Sequence, residues 1–372
     1  MSKKHFIIIP KEARCASRKS HYKLENLFFI ALFLGLAAYG LYYYQNGNTL
    51  PSLSDSSLYA TTDTAKEYIK WVDFNASCED LQKAYTYDVE SYEQEIHYNW
   101  IDLLSYAACK NGNDFSKTSV TSQAMEDFTA ALTQGQSVEE LTNDMKYFSY
   151  YQQCFSAILS GMVGEYELEN EQGKMEKHYG LKAFLPIAKN FPYSDYDDFG
   201  VSRSYGYARP HLGHDMMGQV GTPIVAVESG YVEVLGWNQY GGWRIGIRSF
   251  DKKRYYYYAH LRKDFPYCKT LKEGDLVTAG DVIGYMGRTG YSAKENVNNI
   301  DEYHLHFGLQ LIFDESQKDG NNEIWVSCYQ LVRFLYQNRS ETVKNTQTKE
   351  WVRIRRMKDP AVEDYAKTLK KK

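Results

Sequence analysis

Between Leu27 and Tyr44 the chain reads LFFIALFLGLAAYGLYYY, 18 residues without a charge. As a helix this run is about 27 Å long at about 1.5 Å per residue, enough for one membrane crossing. It predicts a transmembrane helix over residues 26–44. Residues 45–64 are small, polar and aperiodic, the pattern of a linker. From 65 to 172 the apolar positions recur every three or four residues. Leu81, Tyr85, Val89, Tyr92, Ile96, Trp100, Leu103 and Ala107 follow a Ser77/Asp80 start and stop at Asn111-Gly112-Asn113; Leu141, Met145, Phe148, Tyr151, Phe155, Ile158 and Met162 follow Ser137/Glu140. This predicts an all-α domain with aromatic stripes in its core. From 178 to 338 the texture becomes short alternating segments with glycine turns (TPIVAVESG, YVEVLGW, WRIGIRSF, RYYYYAHL, DVIGYMG, HLHFGLQLIF), an all-β pattern of antiparallel sheets. Residues 339–372 lose the period and are read as a basic, solvated C-terminal tail, helical or loose. The expected architecture is therefore multidomain: one spanning helix, an all-α domain, then an all-β domain.

Charge orients this plan. The leader, residues 1–25, holds seven Lys/Arg against two acids, and no charged residue follows the apolar run until Asp55. Basic residues stay on the cytoplasmic side, so the N-terminus is expected inside and everything after Tyr44 outside, with Tyr42, Tyr43 and Tyr44 at the outer interface. A cleaved signal peptide is the alternative, since Ala38-Tyr39-Gly40 offers a small-x-small site. Both ends of the chain are basic while the net charge is -4, so the body is acidic, which argues against a nucleic-acid-binding domain. Nucleotide-binding loops and a GxSxG nucleophile elbow are absent from the sequence. The six cysteines show no CxxC and no tight spacing, and are read as structural thiols rather than a disulfide framework.

Five of the nine histidines, His211, His214, His260, His304 and His306, fall inside the β region beyond its first residue. His304-Leu305-His306 lies in an alternating strand, so both imidazoles face one small volume while Leu305 and Phe307 face the core. His211-Leu212-Gly213-His214-Asp215 supplies an imidazole and a carboxylate four residues apart, with Gly213 permitting a bent backbone between them. Two His and one Asp form a nitrogen/oxygen set that leaves the fourth tetrahedral position of Zn²⁺ open, as hydrolytic sites do.

The order HxxxD, Tyr-Ala-His-Leu, HxH inside a glycine-punctuated β domain resembles the M23 (lysostaphin/LytM-like) zinc metallopeptidase family. The resemblance covers roughly 180–335, with Ser204-Tyr205-Gly206, Gly221-Thr222-Pro223, Gly274-Asp275, Gly284-Tyr285-Met286-Gly287 and Thr289-Gly290 in support. It implies one Zn²⁺ per chain held by His211, Asp215 and His306, with His260 and His304 as the catalytic pair. In the segment before His260, Tyr256 and Tyr258 share its face by alternation, and one of them is expected either at the cleft or in packing. Two departures stand out. His214 occupies a position where the family usually carries an apolar residue and is read as a bystander; the stretch 291–303 before HLH is longer than the family's turn and is expected to narrow or lid the cleft.

The resemblance implies a bacterial, membrane-anchored zinc endopeptidase whose substrate is the peptide of peptidoglycan, acting outside the cell in wall remodelling or local wall opening. The alternative is a zinc-binding scaffold or adaptor in a cell-envelope complex, with the helical domain as the surface for envelope partners.

Overall fold

The computed structural model describes residues 68–204, 207–320 and 322–370. The expected spanning helix at 26–44, with its leader and linker, lies outside them, as do Tyr205 and Gly206; among the described residues no helix is long and apolar enough to cross a membrane.

A helical region comes first: α1 (Cys78–Ser91), α2 (Trp100–Asn111), α3 (Thr118–Thr133), α4 (Val138–Thr142) and α5 (Phe148–Leu159). Ser77 caps α1 through its hydroxyl, which accepts from the Asp80 N–H, and Ser137 with Glu140 closes a reciprocal capping box on α4. The continuous period from Leu81 to Ala107 predicted one helix; the chain instead breaks at residues 92–99. The break is held by polar groups of α1 that start the next helix. The Asp88 carboxylate accepts from the Trp100 N–H at 2.9 Å, and Ser91 Oγ accepts from the Tyr98 N–H at 2.9 Å. The second predicted helix is likewise split, into α4 and α5.

Two strands follow, β1 (Val163–Glu169) and β2 (Met175–Leu181), paired as a hairpin. The β region then comprises β3 (Ser202–Ser204), β4 (Ala208–Pro210), β5 (His214–Met217), β6 (Pro223–Val225), β7 (Gly230–Asn238), β8 (Gly242–Ser249), β9 (Arg254–Ala259), β10 (Leu276–Val277), β11 (Val282–Tyr285), β12 (His304–Leu311) and β13 (Ile324–Val326), closed by α6 (Tyr329–Leu335). The main sheet is antiparallel in the order β10-β7-β8-β9-β12-β13, and β5 shares the outer edge of β12 with β13. At the β7–β8 turn Asn238 Oδ1 accepts from the Tyr240 and Gly241 N–H groups. Gly242 there has φ +65 and lies so close to Thr289 and Gly290 that a Cβ would meet their backbone at 2.4–2.5 Å. Only glycine meets both demands.

Leu305, Phe307 and Leu309 of β12 and Tyr256 and Tyr258 of β9 point to the buried side of the sheet, where one hydrophobic core also takes in Leu81, Leu103, Met125 and Phe155 of the helices. Helices and sheet belong to one compact unit, Glu67–Lys372. A buried charge cluster ties them together. The Arg254 guanidinium pairs with Glu228 at 2.7 and 3.0 Å and donates to the Ala157 carbonyl at 3.0 Å, in the last turn of α5. A cation there complements the partial negative charge of a helix C-terminus.

Residues 339–370 are more ordered than their composition predicted. They form the hairpin β14 (Thr342–Lys344) and β15 (Trp351–Arg353), then β16 (Met357–Lys358) on the edge of β1, and α7 (Pro360–Leu369) capped by Asp359. Arg353 pairs with Asp281, Arg355 with Glu171 and Arg356 with Glu169, while Arg339 donates to the Ala188 and Phe191 carbonyls. The described cysteines are free thiols.

Candidate metal centre

Three strands deliver the site. In the β5–β12 ladder Asp215 stands opposite His306 and Met217 opposite His304, so both histidines share the Asp215 face of the sheet. His211 precedes β5 and is fixed through its backbone, its N–H donating to the Val201 carbonyl at 2.9 Å. His260 follows the last residue of β9 with φ +59, an uncommon left-handed conformation for a side-chain-bearing residue, secured by its N–H donating to Gly241 O at 2.8 Å.

His211 Nε2, Asp215 Oδ1 and His306 Nδ1 converge. The imidazole nitrogens are 2.9 Å apart and lie 3.1 and 3.0 Å from the carboxylate oxygen. Four ligands at about 2.0–2.1 Å from a tetrahedral ion lie roughly 3.3 Å from one another, so this donor set fits zinc in both chemistry and spacing. Gly213 is what permits the approach: a Cβ there would meet His306 Cε1 at 2.5 Å and Nε2 at 2.6 Å.

The electrostatics agree with a cation site. Burial pushes the Asp215 carboxyl up, but hydrogen bonds from His211 and His306 outweigh it and hold the group well below the usual carboxylate range. Burial lowers His211, yet Asp198 and Asp215 lift it to about 9, whereas burial leaves His306 lowered.

His260 and His304 flank these donors, their ring centroids 4.8 Å apart, and His304 Nε2 is 3.7 Å from Asp215 Oδ1. His260 Nδ1 lies 2.9 Å from the Thr289 carbonyl and His304 Nδ1 3.0 Å from the Glu302 carbonyl. A carbonyl only accepts, so each Nδ1 carries a hydrogen. Burial, with His304 and His306 nearby, holds His260 well below its ordinary value, hence neutral.

Several participants were invisible in the sequence. Asp198, fully buried, places its carboxylate 3.1 Å from His211 Nδ1 and accepts from Arg203 Nη2 at 2.9 Å. His214 points away from the donors; its Nε2 meets Asp195 Oδ2 at 2.8 Å and its ring packs on Tyr329. Nothing in the SDYDDFG stretch singled out Asp195 or Asp198 beyond its acidity. Tyr256 and Tyr258 do not line the cleft. Both are fully buried, Tyr256 donating to Glu228 and Tyr258 accepting from the Val227 N–H. The alternation that grouped them with His260 fails because His260 leaves strand geometry; Tyr255 and Tyr257 line the cleft instead. That cleft measures about 870 Å³ and carries the five site residues along one side. Residues 291–303 are pinned beside it: Asn296 Oδ1 accepts from the Trp243 indole and the Asp264 N–H, each at 2.9 Å, while Tyr291 and Ile300 face the cleft.

Residues 209–320, a stretch containing the three converging donors and both flanking histidines, match a model of peptidase family M23. The chain carries an M23 domain. It is 38% identical over 131 residues to the L-Ala--D-Glu endopeptidase of Bacillus subtilis (strain 168), covering 35% of this chain and 38% of that protein. It is 39% identical over 98 residues to lysostaphin of Staphylococcus simulans, covering 26% of this chain and 17% of that protein. A third relative is the peptidoglycan DD-endopeptidase ShyC of Vibrio cholerae, 31% identical over 158 residues, covering 41% and 31% of the two chains. The chain thus spans 38% or less of the length of these curated relatives. A crystal structure of a candidate LytM glycyl-glycine endopeptidase from Ruminococcus gnavus ATCC 29149 shares the fold at 24% identity and a TM-score of 0.51, over 75% of this chain and 95% of that one. That likeness reaches well beyond the M23 domain.

Proposed function

We propose that this chain is a zinc endopeptidase that hydrolyses peptide bonds of bacterial peptidoglycan, held at the cell membrane by residues 26–44 with its M23 domain outside. The observation that carries the reading is the convergence of His211, Asp215 and His306 beside two further imidazoles at the edge of an open cleft. The names of two relatives, an L-Ala--D-Glu endopeptidase and a peptidoglycan DD-endopeptidase, support the substrate class.

Bound at His211, Asp215 and His306, zinc supplies Lewis-acid polarisation of the scissile carbonyl and lowers the pKa of water toward about 7. His260 or His304 accepts the proton of the attacking water at Nε2 and returns it to the leaving amine. The Thr289 and Glu302 carbonyls hold these rings in the required tautomer and orientation. The other imidazole of the pair stands beside the carbonyl oxygen, where it stabilises developing negative charge.

The test is incubation of the full chain with peptidoglycan of several wall chemistries, measuring new amine ends. Release that stops with a chelator and returns with zinc supports the reading. Bound zinc with no release from any wall chemistry supports the scaffold instead. For the anchor, deletion of 26–44 is expected to move the chain from the membrane to the soluble fraction.

A further inference from the structure

The floor of the cleft carries cationic groups that the hydrolytic site does not use. Arg244 lies two residues from Gly246 along β8, and Gly246 stands opposite Tyr257 of β9, so Arg244 and Tyr257 share the cleft face of the sheet. Arg209 rises from β4 on the wall, its guanidinium carbon 5.3 Å from the Tyr240 ring and 5.6 Å from the Tyr291 ring, with one N–H donating to the Tyr291 hydroxyl. Among the described residues neither arginine forms an ion pair with a carboxylate, and the buried Nε of each has no hydrogen-bond partner. The other charged side chains of the cleft do not neutralise them. Lys318 pairs with Glu233, Glu323 accepts the Trp325 indole N–H, Arg203 pairs with Asp198, and Asp319 pairs with neither arginine.

Their position relative to the chemistry is defined by Tyr257. Its ring centroid is 5.8 Å from that of His306, and the positive charges of Arg244 and Arg209 both act on its hydroxyl against the effect of burial. Two half-buried guanidinium groups, each with a buried Nε that has no partner and no carboxylate paired to it among the described residues, form an anion receptor beside His306. Arg is suited to this role because its planar fork matches a carboxylate and is always charged.

We propose that Arg209 and Arg244 receive a free carboxylate of the peptide substrate near the scissile amide, so that the cleft selects acidic stem peptides over uncharged glycine bridges. This rests on the endopeptidase reading above and specifies its substrate. A carboxylate supplies charge-assisted bonds to both cations, including the buried Nε atoms, that an uncharged peptide cannot make.

The experiment uses the full chain loaded with zinc and three probes: a stem peptide with its carboxylates free, the same peptide amidated at those groups, and pentaglycine. Binding is read by calorimetry and cleavage by mass spectrometry. The acidic peptide is expected to bind roughly tenfold or more tightly than either neutral probe. In the double variant Arg209→Gln/Arg244→Gln that preference disappears while the amidated peptide binds as before; Arg209→Lys/Arg244→Lys, which keeps the charge, retains part of it. Unchanged zinc content in both variants shows that the site is still folded. Equal binding of acidic and amidated peptide by the wild type, or a preference that survives in the Gln variant, overturns the proposal. A preserved preference with no cleavage of any probe supports it and rejects the endopeptidase reading alone.

Discussion

The Asp198 carboxylate lies 3.1 Å from His211 Nδ1, on the ring nitrogen that does not face His306. The Asp198 backbone carbonyl, also 3.1 Å from Nδ1, fixes which nitrogen of His211 is left to bind a cation, and the negative charge of the carboxylate raises the basicity of that nitrogen. Burial opposes the charge on Asp198, but hydrogen bonds to His211 and His214 hold its carboxyl below the usual range. Asp198→Ala is expected to weaken zinc binding by about 10–100-fold. A competition titration against a chromogenic chelator measures this, and wild-type affinity in the variant would remove Asp198 from the site.

The proposed roles of the histidines separate cleanly. His211→Ala should lose both zinc and wall hydrolysis. His260→Ala and His304→Ala should keep stoichiometric zinc while kcat falls by about 10²–10⁴-fold. Metal analysis and amine release on the same samples decide it; loss of zinc in either of the latter variants would make that histidine a ligand.

Gly213 is replaceable only at the expense of His306. A Cβ at this position meets His306 Cε1 and Nε2 and lies 2.9 Å from the Phe307 carbonyl oxygen, which belongs to the strand backbone and cannot swing away. Gly213→Ala is therefore expected to reduce zinc affinity on the order of tenfold or more, as displaced ligands do. Circular dichroism should remain unchanged, distinguishing a local effect from unfolding.

Arg254 is expected to matter for stability rather than chemistry. It is 2% exposed, pairs with Glu228 and holds a carbonyl of the last turn of α5. Arg254→Ala leaves Glu228 buried without its cation and frees that carbonyl, a loss of about 3–5 kcal/mol. Urea unfolding gives the value; a midpoint matching the wild type would show that the helices and the sheet do not depend on this cluster.

Asn296 anchors the 291–303 loop by accepting from Trp243 and Asp264 and donating to the Asp264 carboxylate at 2.7 Å. Asn296→Ala should loosen the loop, seen as faster amide exchange over 291–303, and raise KM with little change in kcat. An equal fall in kcat alone would place the loop in the reacting geometry instead of the binding cleft.

Much of the β region of this chain follows from local pattern. Alternation in His304-Leu305-His306 is enough to put two imidazoles on one face and Leu305 and Phe307 in the core, because a strand repeats every two residues whatever surrounds it. The capping groups at Ser77 and Ser137 were equally legible, since a cap acts within one turn of its helix. The acidic body and the missing nucleotide motifs needed no fold at all. What tertiary structure decided lies where distant segments meet or regular geometry stops. Asp88 and Ser91 end one helix by capping the next, so an unbroken apolar period became two helices. His260 takes a left-handed backbone because Gly241 accepts its N–H, which turned the cleft face over to Tyr255 and Tyr257 and buried Tyr256 and Tyr258. Asp198, Arg209 and Arg244 carry no spacing relative to the histidines that a linear reading can use; their positions come from loop closure and strand pairing, which bring charges together through space rather than along the chain.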